Sequence, residues 1–108
     1  MKFMMFVCTD SEPDEDRTDD CDTWAAENDA AGRRVTGSAL APVDEAVTVR
    51  VRAGELLRTA GPFAESKNVI VGFDILECAD LDEAVEVARQ HPMARIGRLE
   101  LRHFVDLD

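Results

Sequence analysis

The segment TAGPFAESKNVIVGFDIL, Thr59 to Leu76, divides into a turn-rich half and an apolar half. The apolar half extends from Val69 to Glu77 and has the length and β-branched content of a central strand. The preceding loop runs from Ala60 to Asn68, where Pro62 fixes φ and Gly61 supplies permissive backbone. Side chains alternate along a strand, so Val69, Val71, Phe73 and Ile75 form the natural core set. Ile70, Gly72, Asp74 and Leu76 then share the other face, which places Asp74 on an open side of the sheet. Gly72 marks the close approach of another backbone or ring. Phe63 is expected to anchor the loop, at least half buried.

Working outward, Asp80 to Glu83 has the form of a capping box, with Asp80 as N-cap and Glu83 three residues on. Leu81, Ala84, Val85 and Ala88 follow at helical spacing, and Pro92 ends the helix. Arg98 to Phe104 alternates as a last strand. Upstream, Ala46 to Arg52 alternates cleanly, with Val47, Val49 and Val51 on one side and Thr48, Arg50 and Arg52 on the other. Ala53-Gly54 forms a tight turn into a short return strand, Glu55 to Thr59. Arg33 to Val43 reads as mostly irregular, with Val35 and Leu40 as core contacts. A helix from Asp20 to Ala31 has a modest apolar stripe and Gly32 just past its end. Residues 11–19 read as loop, and Phe3 to Cys8 as a strand buried on both faces. Strand, helix, strand, hairpin, strand, helix and strand give an α+β fold of ferredoxin-like βαββαβ order with an extra short β-hairpin.

The 108 residues make a single domain, 1–108, and the net charge of −11 is uneven. Residues 1–30 hold ten acids against Lys2 and Arg17. Phosphate backbones and anionic membrane surfaces attract basic proteins, so neither nucleic acid nor membrane is an expected partner. Cys8, Cys21 and Cys78 lack the spacing of a disulfide framework or a metal site, which makes a cytoplasmic location the default. Cys21 lies among acids that disfavour a thiolate. No cofactor or metal is implied: nucleotide-binding glycine motifs and a nucleophile elbow are missing, and Ser38 and Ser66 have no base partner.

The run Gly61-Pro62-Phe63-Ala64-Glu65-Ser66-Lys67, then Gly72-Phe73, then Gly97-Arg98-Leu99-Glu100-Leu101-Arg102 resembles the YCII-related family, also called the DGPF-domain family. Thr48-Val49-Arg50 matches the family's T-V-R. The resemblance implies a bacterial protein whose sheets pair face to face into a dimeric α/β barrel. Some relatives in the broader family carry a histidine–aspartate pair proposed as an acid/base dyad, with the histidine in the first helix; here Trp24 and Asn28 take the inward positions there. Ala60 replaces the first Asp of the family signature.

Two helices cover only one face of a four-stranded sheet. The alternation places Arg50, Asp74, Glu100 and Arg102 together on the uncovered face, as ligand-binding residues of a pocket or as register-fixing pairs, Arg50 with Glu100 and Asp74 with Arg102. His91 reads as a cap on the second helix's dipole, and His103 as a structural residue on the core side. Three functions compete. One is a homodimer that binds a small polar or anionic ligand through Arg50 and Arg102. Another is an enzyme of lactone-isomerase or dehydrochlorinase type, with Asp74 as the candidate catalytic base. The last is an accessory partner in a sigma-factor regulatory system, its acidic surface meeting a basic protein.

Overall fold

The computed structural model describes residues 1–15, 20–63 and 67–106; the loop expected over 11–19 and over 60–68, together with Ser66, lies partly outside these. Among the described residues the chain forms β1 (Lys2–Cys8), α1 (Cys21–Ala30), β2 (Arg34–Ala39), β3 (Val47–Arg52), β4 (Glu55–Ala60), β5 (Ile70–Glu77), α2 (Leu81–Arg89), α3 (Met93–Ile96) and β6 (Arg98–His103). The four-stranded sheet has the order β2-β5-β1-β6 with antiparallel pairings throughout, the ferredoxin-like α+β arrangement.

The second strand of that sheet is β2, from a segment expected to be irregular. Its polar sequence RVTGSA hides it, as does a register irregularity between Arg34 and Thr36 that breaks the alternation. Val35 and Leu40 are exposed rather than in the core. The clean alternation of Val47 to Val51 belongs to β3, which pairs only with β4 in a separate two-stranded sheet. Those valines do not pack under the helices.

β1 decides which face is the core. Phe3, Met5 and Val7 are buried beneath the helices, and their cross-strand partners Leu76, Asp74 and Gly72 necessarily share their side. The expected orientation of β5 is therefore inverted at Phe73 and Ile75, whereas Val71, at the register irregularity opposite Val7 and Cys8, packs against the core as expected. Phe73 and Ile75 lie with Met4 and Phe6 on the uncovered face, only partly buried. Gly72 does meet a close neighbour: a Cβ there would sit 3.1 Å from the Ser38 carbonyl oxygen of β2.

Local chemistry fixes the helices. Asp20 accepts the Thr23 N–H at 3.1 Å and the Thr23 hydroxyl at 2.7 Å, capping α1. At the other end Gly32 adopts φ 73°, and Arg33 N–H reaches the Asn28 carbonyl at 2.9 Å while Gly32 N–H reaches Asp29 at 3.2 Å. That Schellman closure turns the chain directly into β2 and brings Arg33 and Arg34 beside α1. In α2, Asp80 accepts the Glu83 N–H at 2.9 Å, and Glu83 reaches back to the Ala79 N–H at 3.1 Å. The buried face of α2 is Ala84, Val87 and Ala88; Leu81 and Val85 are exposed, so the stripe is rotated from the expected one.

Candidate functional site

The residues that the alternation grouped on one face are dispersed. Arg50 is exposed on the hairpin, opposite Leu57. Glu100 and Arg102 stand opposite Phe6 and Met4 on the uncovered face. Asp74 lies on the other face, beneath the helices. Neither Arg50–Glu100 nor Asp74–Arg102 forms an ion pair. The parity of β5 and the separation of the hairpin both prevent it.

Asp74 instead sits at the floor of a cavity of about 340 Å³ between α1, β2 and β5. Val7, Trp24, Ala25, Val71 and Met93 form much of its wall, and Arg34, Asp74 and His91 bring charge and polarity into it. The size and the mostly apolar lining are those of small-molecule sites. A second depression beside α2 and β6 has charges already paired, Asp10 with Arg98 at 2.8 Å and Asp14 with Arg95 at 3.7 Å.

Asp74 is 6% exposed. Its Oδ1 accepts a hydrogen bond from Arg34 Nε at 2.7 Å, and Arg34 Nη1 donates to both oxygens of Asp29 at 3.0 and 3.1 Å. Arg34 is thus a strut between α1 and β5, and its two carboxylates hold the guanidinium protonated. Gly37, opposite Asp74 in the ladder, makes room for the carboxylate: a Cβ at residue 37 would collide with Oδ1. Burial pushes the Asp74 carboxyl above the usual carboxylate range, and Arg34 opposes that only in part. Among the described residues, the second oxygen, Oδ2, has no protein partner. Since no buried side-chain oxygen or nitrogen lacks a partner among the described residues, Oδ2 keeps some exposure, and Asp74 lines the cavity.

His91 is 5% exposed and caps nothing as a cation. Burial, with the positive charge of Arg34, pushes it down to about 4, so the ring is neutral at neutral pH. Its Nδ1 accepts the Met93 N–H at 2.9 Å, which places the ring proton on Nε2. Trp24 meets the ring edge-on, 4.4 Å between centroids, and is itself held by its Nε1–H donating to the Val87 carbonyl at 3.0 Å. Asn28 donates to the Trp24 carbonyl at 2.8 Å and accepts from Arg33 Nε at 3.0 Å.

Arg34 and His91 were not among the expected site residues. The signals for them were weak: an Arg pair after a helix-ending Gly32, and a histidine one residue before Pro92. His103 is exposed near the chain end, not on the core side. Cys78 is buried in the core and Cys8 is partly buried; burial pushes both thiols up, away from the reactive thiolate. Phe63 is 86% exposed, contrary to the half-buried anchor expected. Among the described residues no three His, Cys, Asp or Glu side chains are grouped to hold a metal ion, and no helix is long and apolar enough to cross a membrane.

An uncharacterised protein of Rhizobium meliloti (strain 1021) is 44% identical over 59 residues, which are 55% of this chain and 48% of the relative. The chain thus spans about half the length of the curated relative it matches. The YCII-related domain matches residues 1–108 from end to end, and the chain belongs to that family.

Proposed function

We propose that this YCII-related chain works as a homodimer and binds a small polar organic molecule in the cavity between α1, β2 and β5. One observation carries the ligand reading: Asp74, nearly inaccessible and ion-paired through one oxygen, leaves the other oxygen unpaired toward a mostly apolar cavity. A carboxylate oxygen that faces a mostly apolar cavity is an acceptor that a bound donor would satisfy. The site moves from the expected sheet face to the helix side. Asp22 and Asp74 both line it, and Arg34 is already engaged by two carboxylates, so a neutral polar ligand suits it better than an anion.

The homodimer is supported by the face the helices leave bare. Met4, Phe6, Phe73 and Ile75 form an apolar centre there, with Glu100 and Arg102 beside it. A second copy of the same face would cover it with matching chemistry. Sedimentation at micromolar concentration is expected to show a dimer that Phe6→Glu dissociates; a stable parent monomer would remove that part of the reading.

A thermal-shift screen of neutral polar metabolites tests the ligand. Compounds that stabilise the parent are expected to lose their effect in Ala39→Phe, which fills the cavity from β2. Stabilisation that survives this filling would place the site elsewhere. A second reading, an acid–base enzyme, is favoured by Asp74 itself, whose carboxyl burial raises above the usual carboxylate range in the wall of the cavity.

A further inference from the structure

We infer that the β3–β4 hairpin is a docking arm for a second copy of this chain, with its valine face seated on the exposed side of that copy's α2. The contact is reciprocal and separate from the sheet-face pairing.

The hairpin stands off the body. Its strands Val47–Arg52 and Glu55–Ala60 pair with each other in a sheet of their own. The radius of gyration is 15.9 Å, against about 13 Å for a compact domain of this length. The register puts Val47, Val49, Val51, Leu56 and Arg58 on one face of the arm. The four apolar side chains there are each about half exposed or more. A two-stranded ribbon with a bare apolar face has the character of an interaction surface.

Charge selects the occupant. Arg50, Arg52 and Arg58 against Glu55 give the arm a net charge of +2 in a chain of −11, so the remaining residues carry −13. A second copy therefore presents an acidic body to a basic arm. Arm against arm is disfavoured, because it sets the Arg58 within each apolar face against its own counterpart. The matching side of the body is α2. Among the described residues, Leu81 and Val85 are the large apolar side chains that a helix leaves about half exposed. Asp82 and Glu86 run beside them, each one residue further on. Four helical residues rise about 6 Å and two strand residues about 7 Å, so Leu81 and Val85 are spaced to meet Val49 and Val51. Arg58, opposite Val49 in the ladder, then faces the acidic stripe. Glu86 is already paired with Arg89, which makes Asp82 the counterpart of Arg58.

The contact buries far less than the roughly 800 Å² per partner of a stable interface, so the association is weak, with a dissociation constant on the order of 0.1 mM. At the micromolar concentrations of an unfolding measurement the arm is bare. Arm and seat occur on both copies, so two contacts form together and close the pair.

The test is sedimentation equilibrium of the full chain from about 10 μM to about 1 mM at low salt. The mass of the dilute species, subunit or sheet-face pair, is expected to double across that range. About 0.5 M salt should weaken the doubling several-fold by screening the arginines. Val49→Asp spoils the arm and Val85→Asp the seat, both at exposed positions where circular dichroism should not change. Each should weaken the doubling at least about tenfold. Mixing the two variants should recover part of it, since one intact arm then meets one intact seat. Arg58→Glu should weaken it too, and Asp82→Arg added to Arg58→Glu should restore it. Amide exchange in β3 and β4 should slow at the highest parent concentration, which reads the arm without a substitution. Phe6→Glu should remove the sheet-face dimer and leave the doubling, so the two contacts fail separately. A parent that never doubles would overturn the inference, as would doubling that survives Val49→Asp or Val85→Asp. No recovery on mixing would overturn the α2 seat in favour of arm against arm. An undoubled parent that binds polyglutamate in a salt-sensitive way would overturn it in favour of a foreign acidic partner.

Discussion

β1 and β3 are both built from alternating or continuous apolar residues, yet they live in opposite surroundings. Phe3 and Met5 of β1 are 1% and 0% exposed, whereas Val49 and Val51 of β3 are 61% and 58% exposed. Apolar alternation makes a strand in both cases. Burial depends on what lies above it, which alternation does not encode. The hairpin holds together by local means. Ala53 and Gly54 adopt φ 51° and 78°, the left-handed pair of a tight two-residue turn that matches strand twist. Thr48 faces Thr59 and Arg52 faces Glu55 across its ladder. The sheet body is held instead by a common core of Phe3, Met5, Leu76, Trp24 and the small residues of α2.

The contrast is sharpest for large-to-small changes. Leu76→Ala, at a fully buried site, should cost about 2–5 kcal/mol in urea unfolding, whereas Val51→Ala should stay within about 0.5 kcal/mol. Similar losses at both sites would mean the hairpin has its own cover in solution. Glycines extend the comparison. Gly72→Val would push against the backbone of β2 and should cost about 1–3 kcal/mol. Gly54→Ala meets no neighbour but must hold a positive φ, which costs about 1 kcal/mol. Equal melting temperatures would deny that β2 presses on β5.

Acid separates the two regions in another way. His91 in the folded body lies near 4 against an ordinary 6.5, so between those values the unfolded chain binds a proton that the folded chain does not. Its contribution is complete above the unfolded value and is lost as pH falls toward the folded one, about 2 kcal/mol between pH 7 and pH 5. Asp74 acts oppositely, since its raised carboxyl is relieved by acid. Urea midpoints at the two pH values should therefore fall less in His91→Gln than in the parent; parallel falls would contradict a neutral buried ring. The smallest effect belongs to the hairpin face. Val49→Ala should change stability by less than about 0.5 kcal/mol at either pH.

These regions also mark what the sequence could convey. The cap Asp80, Gly32 at the end of α1, the turn at Ala53-Gly54 and the strand through Val69 to Glu77 were legible because each depends on neighbours within a few residues. The face of β5 was not. Its bulkier set, Val69, Val71, Phe73 and Ile75, looked like the core, and Val71 does pack against it, but β1 is apolar on both sides and its register turns Phe73 and Ile75 to the other face. Asp74 was recognised as the central carboxylate and assigned the wrong surroundings. Its true partner, Arg34, is separated from it by 40 residues and sits on an edge strand whose polar sequence concealed it. His91 was seen as a helix-end cation because its burial against Trp24 is a tertiary fact.

The chain has one tryptophan and no tyrosine, and that tryptophan is the residue packed edge-on against His91 in the cavity wall. Its indole emission is therefore a built-in reporter confined to this place. Light absorbed at the red edge of the protein band is taken up there and nowhere else. A solute entering the cavity, or a proton arriving on the adjacent imidazole, would alter the intensity or colour of that single signal, so the site can be watched filling without any label.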